Sequence, residues 1–354
     1  MWKIFNPFIA SLFAASSLSA WSQTVPSDLA EISMEELFSA NVVSKEEALQ
    51  RSKRWHLSYR YGFSDFEQHY VGTQKRSYQQ VLWTPGEART TENYPVVPTE
   101  IRQEVQALLV GYDYSNDLTL RLSVPYIKQS SDHISIVPGY DEFNISSSGL
   151  GDIVTFADYT FLKTINSRWR AGVGLSVPTG SIDEQGDTPR APGNQQLPYT
   201  MQVGSGTWDL PLGLAYEKYG EMFRWGADLR ATIRTGENDR DYRLGNKFSA
   251  GGWLSFSQFG RLKPSLRLDY RWQDQIRGHD QTLSVPNPSF PYPAPVADPT
   301  AFGGEQIELT LALDFDINGS WFVRGEYSEP LWLDLNGPQT AEKYHFALTL
   351  GTAF

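Results

Sequence analysis

The chain ends "KYHFALTLGTAF" (343–354), and the polarity of these residues alternates to the last position. Tyr344, Phe346, Leu348, Leu350, Thr352 and Phe354 share one face; His345, Ala347, Thr349, Gly351 and Ala353 share the other. A period of two is the signature of a strand. Free termini fray in water, so a terminus patterned to its final aromatic implies a partner that holds it.

The same pattern recurs upstream. "WHLSYRYGF" sets Trp55, Leu57, Tyr59, Tyr61 and Phe63 on one side, and "LTLRLSVPY" sets Leu118, Leu120, Leu122, Val124 and Tyr126 against Thr119, Arg121 and Ser123. "FRWGADLRATIR" opposes Phe223, Trp225, Leu229 and Ile233 to Arg224, Asp228, Arg230 and Arg234. Runs of this kind fall near 55–63, 101–114, 118–127, 150–162, 168–178, 206–217, 223–234, 247–257, 263–273, 305–316, 320–328 and 343–354. Alternation is weakest in 101–114, 150–162 and 247–257. Each run is about ten residues, the length at which a tilted strand crosses a bilayer.

Short connections, such as "SND" at 115–117 and Asn318–Gly319, alternate with long ones at 64–100, 128–149, 179–205, 235–246, 274–304 and 329–342. Outer-membrane barrels alternate tight periplasmic turns with long external loops in this way. A half-buried soluble sheet would also alternate, but its polar face should be solvated and rich in Lys, Glu and Thr. Here that face carries close Arg and Asp pairs, and the apolar runs begin or end in rings such as Trp55, Tyr126, Trp169, Trp225, Trp272 and Trp321. Rings at strand ends suit interfacial girdles. Lipid tolerates no open sheet edge, so the last strand must meet the first. The expected fold is all-β, a transmembrane antiparallel up-and-down β-barrel of about 12 strands.

Composition agrees. The 354 residues include Trp 11, Tyr 18, Phe 19, Gly 29 and Pro 21, with no cysteine and a net charge of -11. Scattered basic residues on an acidic chain give no footprint for nucleic acid. The start, with Lys3 followed by "IFNPFIASLFAASSLSA", has the form of a secretory signal over residues 1–22. Residues 23–54 then show helical spacing at Leu29, Ile32, Met34, Leu37 and Phe38, which predicts a short amphipathic periplasmic helix. The barrel is assigned to 55–354, and the location to the outer membrane of a Gram-negative cell.

The inward candidates, expected to line a narrow pore, are Arg121, Asp158, Arg170 and Asp209; Arg224, Asp228 and Arg230; Arg267, Asp269 and Arg271; and Asp314, Arg324 and Glu326. With both signs present, strong ion selectivity is not expected. Phe354 is the candidate assembly signal. No histidine has metal-ligand spacing with another, so no metal and no cofactor are assigned. His56 and His345 lie on the polar faces of the first and last strands, where closure would bring them near each other, with Ser58 beside His56. The six-proline segment "SVPNPSFPYPAPVADPTAF" (284–302) either folds inward, presenting Phe290, Tyr292 and Phe302, or splays outward.

Three segments, "SGLGDIVTFADYTF" (148–161), "GVGLSVPTG" (172–180) and "MQVGSGTWDLPLGLAY" (201–216), resemble the outer-membrane family named for the meta-pathway of phenol degradation. That resemblance implies a channel for small, often aromatic molecules. "DLAEISMEELFSANVVSK" (28–45) is similar to the opening of many TonB-dependent receptors, but no plug domain follows it. The expected function is passage of small solutes through a narrow charged lumen, without enzymatic activity. The alternatives are a membrane-embedded lipid-modifying enzyme and a docking barrel. Expected partners are outer-membrane lipid and lipopolysaccharide, the barrel-assembly machinery, a small-molecule solute, and a periplasmic partner at residues 28–54.

Overall fold

The computed structural model describes residues 54–354; the signal segment and the helix expected before Arg54 lie outside the described residues. Eleven strand elements form one closed antiparallel sheet: β1 (Trp55–Gly72), β2 (Val96–Asp113), β3 (Leu118–Ser135), β4 (Ile153–Lys163), β5 (Ser167–Val177), β6 (Asp209–Tyr219), β7 (Phe223–Arg234), β8 (Lys247–Phe256), β9 (Leu262–Gln273), β10 (Gly304–Asn318) and β11 (Trp321–Ala353). Each pairs with the next, and β11 pairs with β1. Two short strands sit outside the ring, Gln74–Arg76 on β1 and Glu142–Leu150 on β3.

An odd number of passes cannot close with every seam antiparallel. The answer lies in β11, which is 33 residues long. Trp321 to Leu335 runs against β10, whereas Leu335 to Ala353 runs against β1, and both registers meet at Leu335. The Ala353 N–H donates to the Ser320 carbonyl at 3.1 Å, so the two limbs lie side by side. β11 is therefore a hairpin, and the chain makes twelve crossings.

The long connection expected at 329–342 is corrected: strand geometry continues through it. Its polar residues are spent on a neighbouring loop. The Asn336 N–H and the Gln339 side-chain amide both donate to the Gly303 carbonyl, and the Asn336 side-chain amide donates to the carbonyl of Phe302.

β1, β2 and β3 are also longer than the polarity pattern indicated, because pairing outlasts the apolar face. On β3 the outward residues are apolar from Leu118 to Tyr126, then become Lys128, Ser130 and Asp132. At about 3.3 Å per residue that apolar stretch is roughly 26 Å of strand, close to the roughly 25 Å apolar band of an outer-membrane barrel. Above it, Lys128 meets Glu104 at 3.3 Å and Lys343 meets Glu67 at 2.9 Å. Rings mark both borders. Trp169, Tyr216 and Trp225 contact one another in series near the short turns, with centroids 4.8 and 5.3 Å apart, and Phe63, Tyr344 and Tyr327 do so higher up.

The terminus closes the cylinder. Trp55 and Phe354 exchange both backbone hydrogen bonds at 3.0 Å. An isolated chain end has become the last rung of the seam.

Candidate functional site

Every one of the thirteen inward candidates lies on the face opposite the exposed apolar residues, and they join into networks. Arg121 reaches Asp158 at 3.0 Å. Arg230 holds Asp228 at 2.9 Å and Asp269 at 2.5 Å, while Arg267 takes the two oxygens of Asp228 at 2.8 Å each and also grips Asp269. Arg324 bridges Asp314 and Glu326 at 2.8 Å each. Asp209 pairs with Arg234 at 2.5 Å, both fully enclosed.

The partners of several candidates are not themselves among the thirteen. Glu217 binds Arg168 at 2.8 Å and Arg170 at 2.6 Å, with the Tyr219 hydroxyl donating at 2.7 Å. Arg60 from β1 binds Glu326 across the closing seam. Glu308 receives Arg271 at 2.8 Å. Each of these residues occupies the same alternating phase as the candidates, so the signal was present in the strand period. Buried ions of this kind persist because each is matched and hydrogen-bonded.

Glycine keeps these side chains against the wall. The ring of Phe156 covers Gly172 and Gly174, Trp253 covers Gly226, and Phe322 covers Gly351; a Cβ on Gly172 or Gly351 would overlap its ring. A bare glycine lets a ring on the next strand lie flat along the sheet instead of crossing the interior.

The inner wall is not uniform. β2, β3 and β4 turn Ile101, Val105, Ala107, Leu109, Ile127, Val154 and Phe156 inward, where they are buried. This is why the alternation of 101–114 and 150–162 was weak: their inward positions are largely apolar, while the outward face of 101–106 is Arg102, Glu104 and Gln106. In 247–257 the inward Trp253 blurs the pattern in the same way.

The loop end is covered. Tyr199, Tyr242, Leu244, Ile276, Leu283, Ala297 and Phe302 form one apolar core drawn from three loops. The proline-rich segment folds inward: Ala294 and Val296 pack on Phe66, Val96 and Ile101, and the Val96 N–H donates to Pro293. Phe302 is buried, while Arg89 lies over the rings of Trp83, Tyr94 and Phe290 at 5.8, 5.6 and 5.1 Å. Arg240 ties the loops together, holding Asp183 at 2.6 Å and Asp280 at 3.0 Å. The Tyr199 hydroxyl accepts the Asp280 N–H at 3.0 Å. Burial pushes the phenols of Tyr199 and Tyr94 well above their ordinary value, so both stay protonated. At the root, Asp152 accepts from the Gly180 N–H and from the Ser205 N–H and hydroxyl.

The histidine expectation is corrected. Closure pairs His56 with Ala353 and His345 with Ser64, eight rungs apart along the seam. His56 binds Asp113 at 2.8 Å and His345 Nδ1 meets the Ser64 hydroxyl at 2.9 Å. Glu342 lies 3.9 Å from that same Nδ1, so it cannot orient the ring from the other nitrogen as a catalytic base requires. Among the described residues, no group of three or more His, Asp or Glu is arranged to hold a metal ion.

The class is thus a membrane-spanning antiparallel barrel with an ionic inner wall and a loop-covered mouth. No family model and no curated protein sequence matches this chain. Solved structures do. An outer membrane channel from Pseudomonas putida F1 superposes with a TM-score of 0.56 at 16% identity, over 85% of this chain and 96% of that one. The transport unit of the autotransporter AIDA-I from Escherichia coli gives 0.44 at 10% identity, over 94% and 99% of the two chains. The translocator domain of NalP from Neisseria meningitidis also gives 0.44 at 10%, over 93% and 98%. The first of these shows a shared outer-membrane barrel fold.

Proposed function

We propose that this chain is an outer-membrane conduit for small solutes, with the short turns in the periplasm and the packed loops outside. The carrying observation is that the largest inward rings and ions are laid along the wall, on glycines and in mutual pairs, instead of interlocking across the interior. An eight-stranded barrel is filled by its own side chains, and 16–18 strands leave a wide channel; twelve crossings leave a narrow one. The P. putida structure is named a channel, which agrees with this reading. The resemblance of segments 148–161, 172–180 and 201–216 to the meta-pathway phenol-degradation family suggests small aromatic solutes, and the rings and apolar sector of the inner wall suit them.

Purified protein is to be reconstituted in planar bilayers. Small, discrete conductance steps are expected. Well-folded, heat-modifiable protein that passes no current and no solute would overturn the conduit.

A further inference from the structure

We propose that the passage prefers anions, and that Arg271 and Arg267 set this preference; the inference rests on the conduit reading above. Equal numbers of opposite charges do not make a neutral surface when one sign lies deeper than the other. Along the inner wall, the cation is the more exposed partner in most pairs. The Arg271 side chain is 27% exposed, whereas its partner Glu308 is 3% exposed. Arg267 is 15% exposed against 2% for Asp269 and 8% for Asp228. Arg121 over Asp158 and Arg168 over Glu217 follow the same order, with smaller differences.

The carboxylates therefore form a buried layer next to the backbone, and the guanidinium groups face what space remains. Lys263, Arg267 and Arg271 share one strand at a spacing of four residues, all on its inward side. That is roughly 13 Å between steps at 3.3 Å per residue, which spreads these cations along the length of the strand. Lys263 and Asp316 reverse the order, with Asp316 at 32% and Lys263 at 12%. They lie at the short-turn end, nearest bulk solvent, where charge is better screened. Selectivity belongs to the constricted part, where rings of Arg and Lys favour anions. The chemical class that fits is a small anion, and a carboxylate attached to an apolar body would use the apolar sector of β2 to β4 as well.

The test is a reversal potential in planar bilayers under a tenfold KCl gradient, with the full chain. Chloride is expected to pass several-fold more readily than potassium. Arg271→Glu should lower that ratio at least threefold, and Arg271→Gln should lower it by less. Arg271 is the partly exposed member of its pair, so Arg271→Gln should still fold and keeps the comparison available if the Glu variant does not. Conducting channels with no preference, or with a preference for potassium, would overturn the anion assignment while leaving the conduit intact. A ratio unchanged in both variants would overturn the role of Arg271. Folded protein with no conductance would overturn both readings.

Discussion

Glu326 shows what a single inward charge does. It sits between Arg60 from the first strand and Arg324 from its own, all nearly sealed from solvent. Removing one member of such a group leaves the others charged and uncompensated, at about 3–5 kcal/mol. Glu326→Ala is therefore expected to lose about that much stability, read as a lower urea midpoint for loss of the heat-resistant gel form. Arg60→Met combined with Glu326→Leu should cost less than the sum of the two single changes, since the pair leaves together. Glycine makes the complementary case. Gly172→Val places a side chain where the Phe156 ring lies, so the ring must swing off the wall. A fall in single-channel conductance is expected, with recovery in Gly172→Val plus Phe156→Ala. A double variant that stays blocked would refute the displaced ring as the cause.

Among the elements, β11 carries the closure. Its second limb is the antiparallel partner on one side of β1, from His56 to Gly72. Deleting residues 340–354 would leave both β1 and the first limb of β11 with unpaired edges, which lipid does not tolerate. That variant is expected to yield no heat-modifiable barrel; deletion of Phe354 alone removes one rung and should lower the yield without abolishing it. The same strands show how far the sequence could be read. Period two revealed β5, β7, β9 and both limbs of β11, because lipid and ions demand opposite side chains on opposite faces. The thirteen inward residues followed from phase alone. β2 was blurred because Ile101, Val105, Ala107 and Leu109 face inward against other apolar groups. The upper parts of β1 and β3 were missed because their outward residues turn polar above the membrane band. Pairings across the seam, Arg60 with Glu326 among them, depend on register, which polarity does not fix. The inward fold of 284–302 depends on contacts with Phe66 and Val96, far away in sequence.

For the molecule as a whole, the barrel is a fixed wall and the loop end is the part that can change. Its apolar core draws on three separate loops, and Arg240 is an ionic tie among all three, reaching Asp183 and Asp280. Asp280 is buried and keeps its bonds from the Thr282 N–H and hydroxyl when Arg240 is lost, so the loops should loosen without the barrel unfolding. Loss of a charged hydrogen bond to a buried partner costs about 1–3 kcal/mol. Since about 1.4 kcal/mol is a factor of ten, the open population of the mouth should rise by roughly one order of magnitude. Arg240→Ala is therefore expected to show more frequent or longer openings in bilayers and faster external proteolysis within 178–208 and 274–303. Its thermal transition on gels should match the parent, because every barrel rung is retained. If proteolysis accelerates while conductance stays the same, the loops are a cover beside the path and not across it. If neither changes, the apolar core alone holds the mouth, and Phe302→Ala becomes the substitution that must release it.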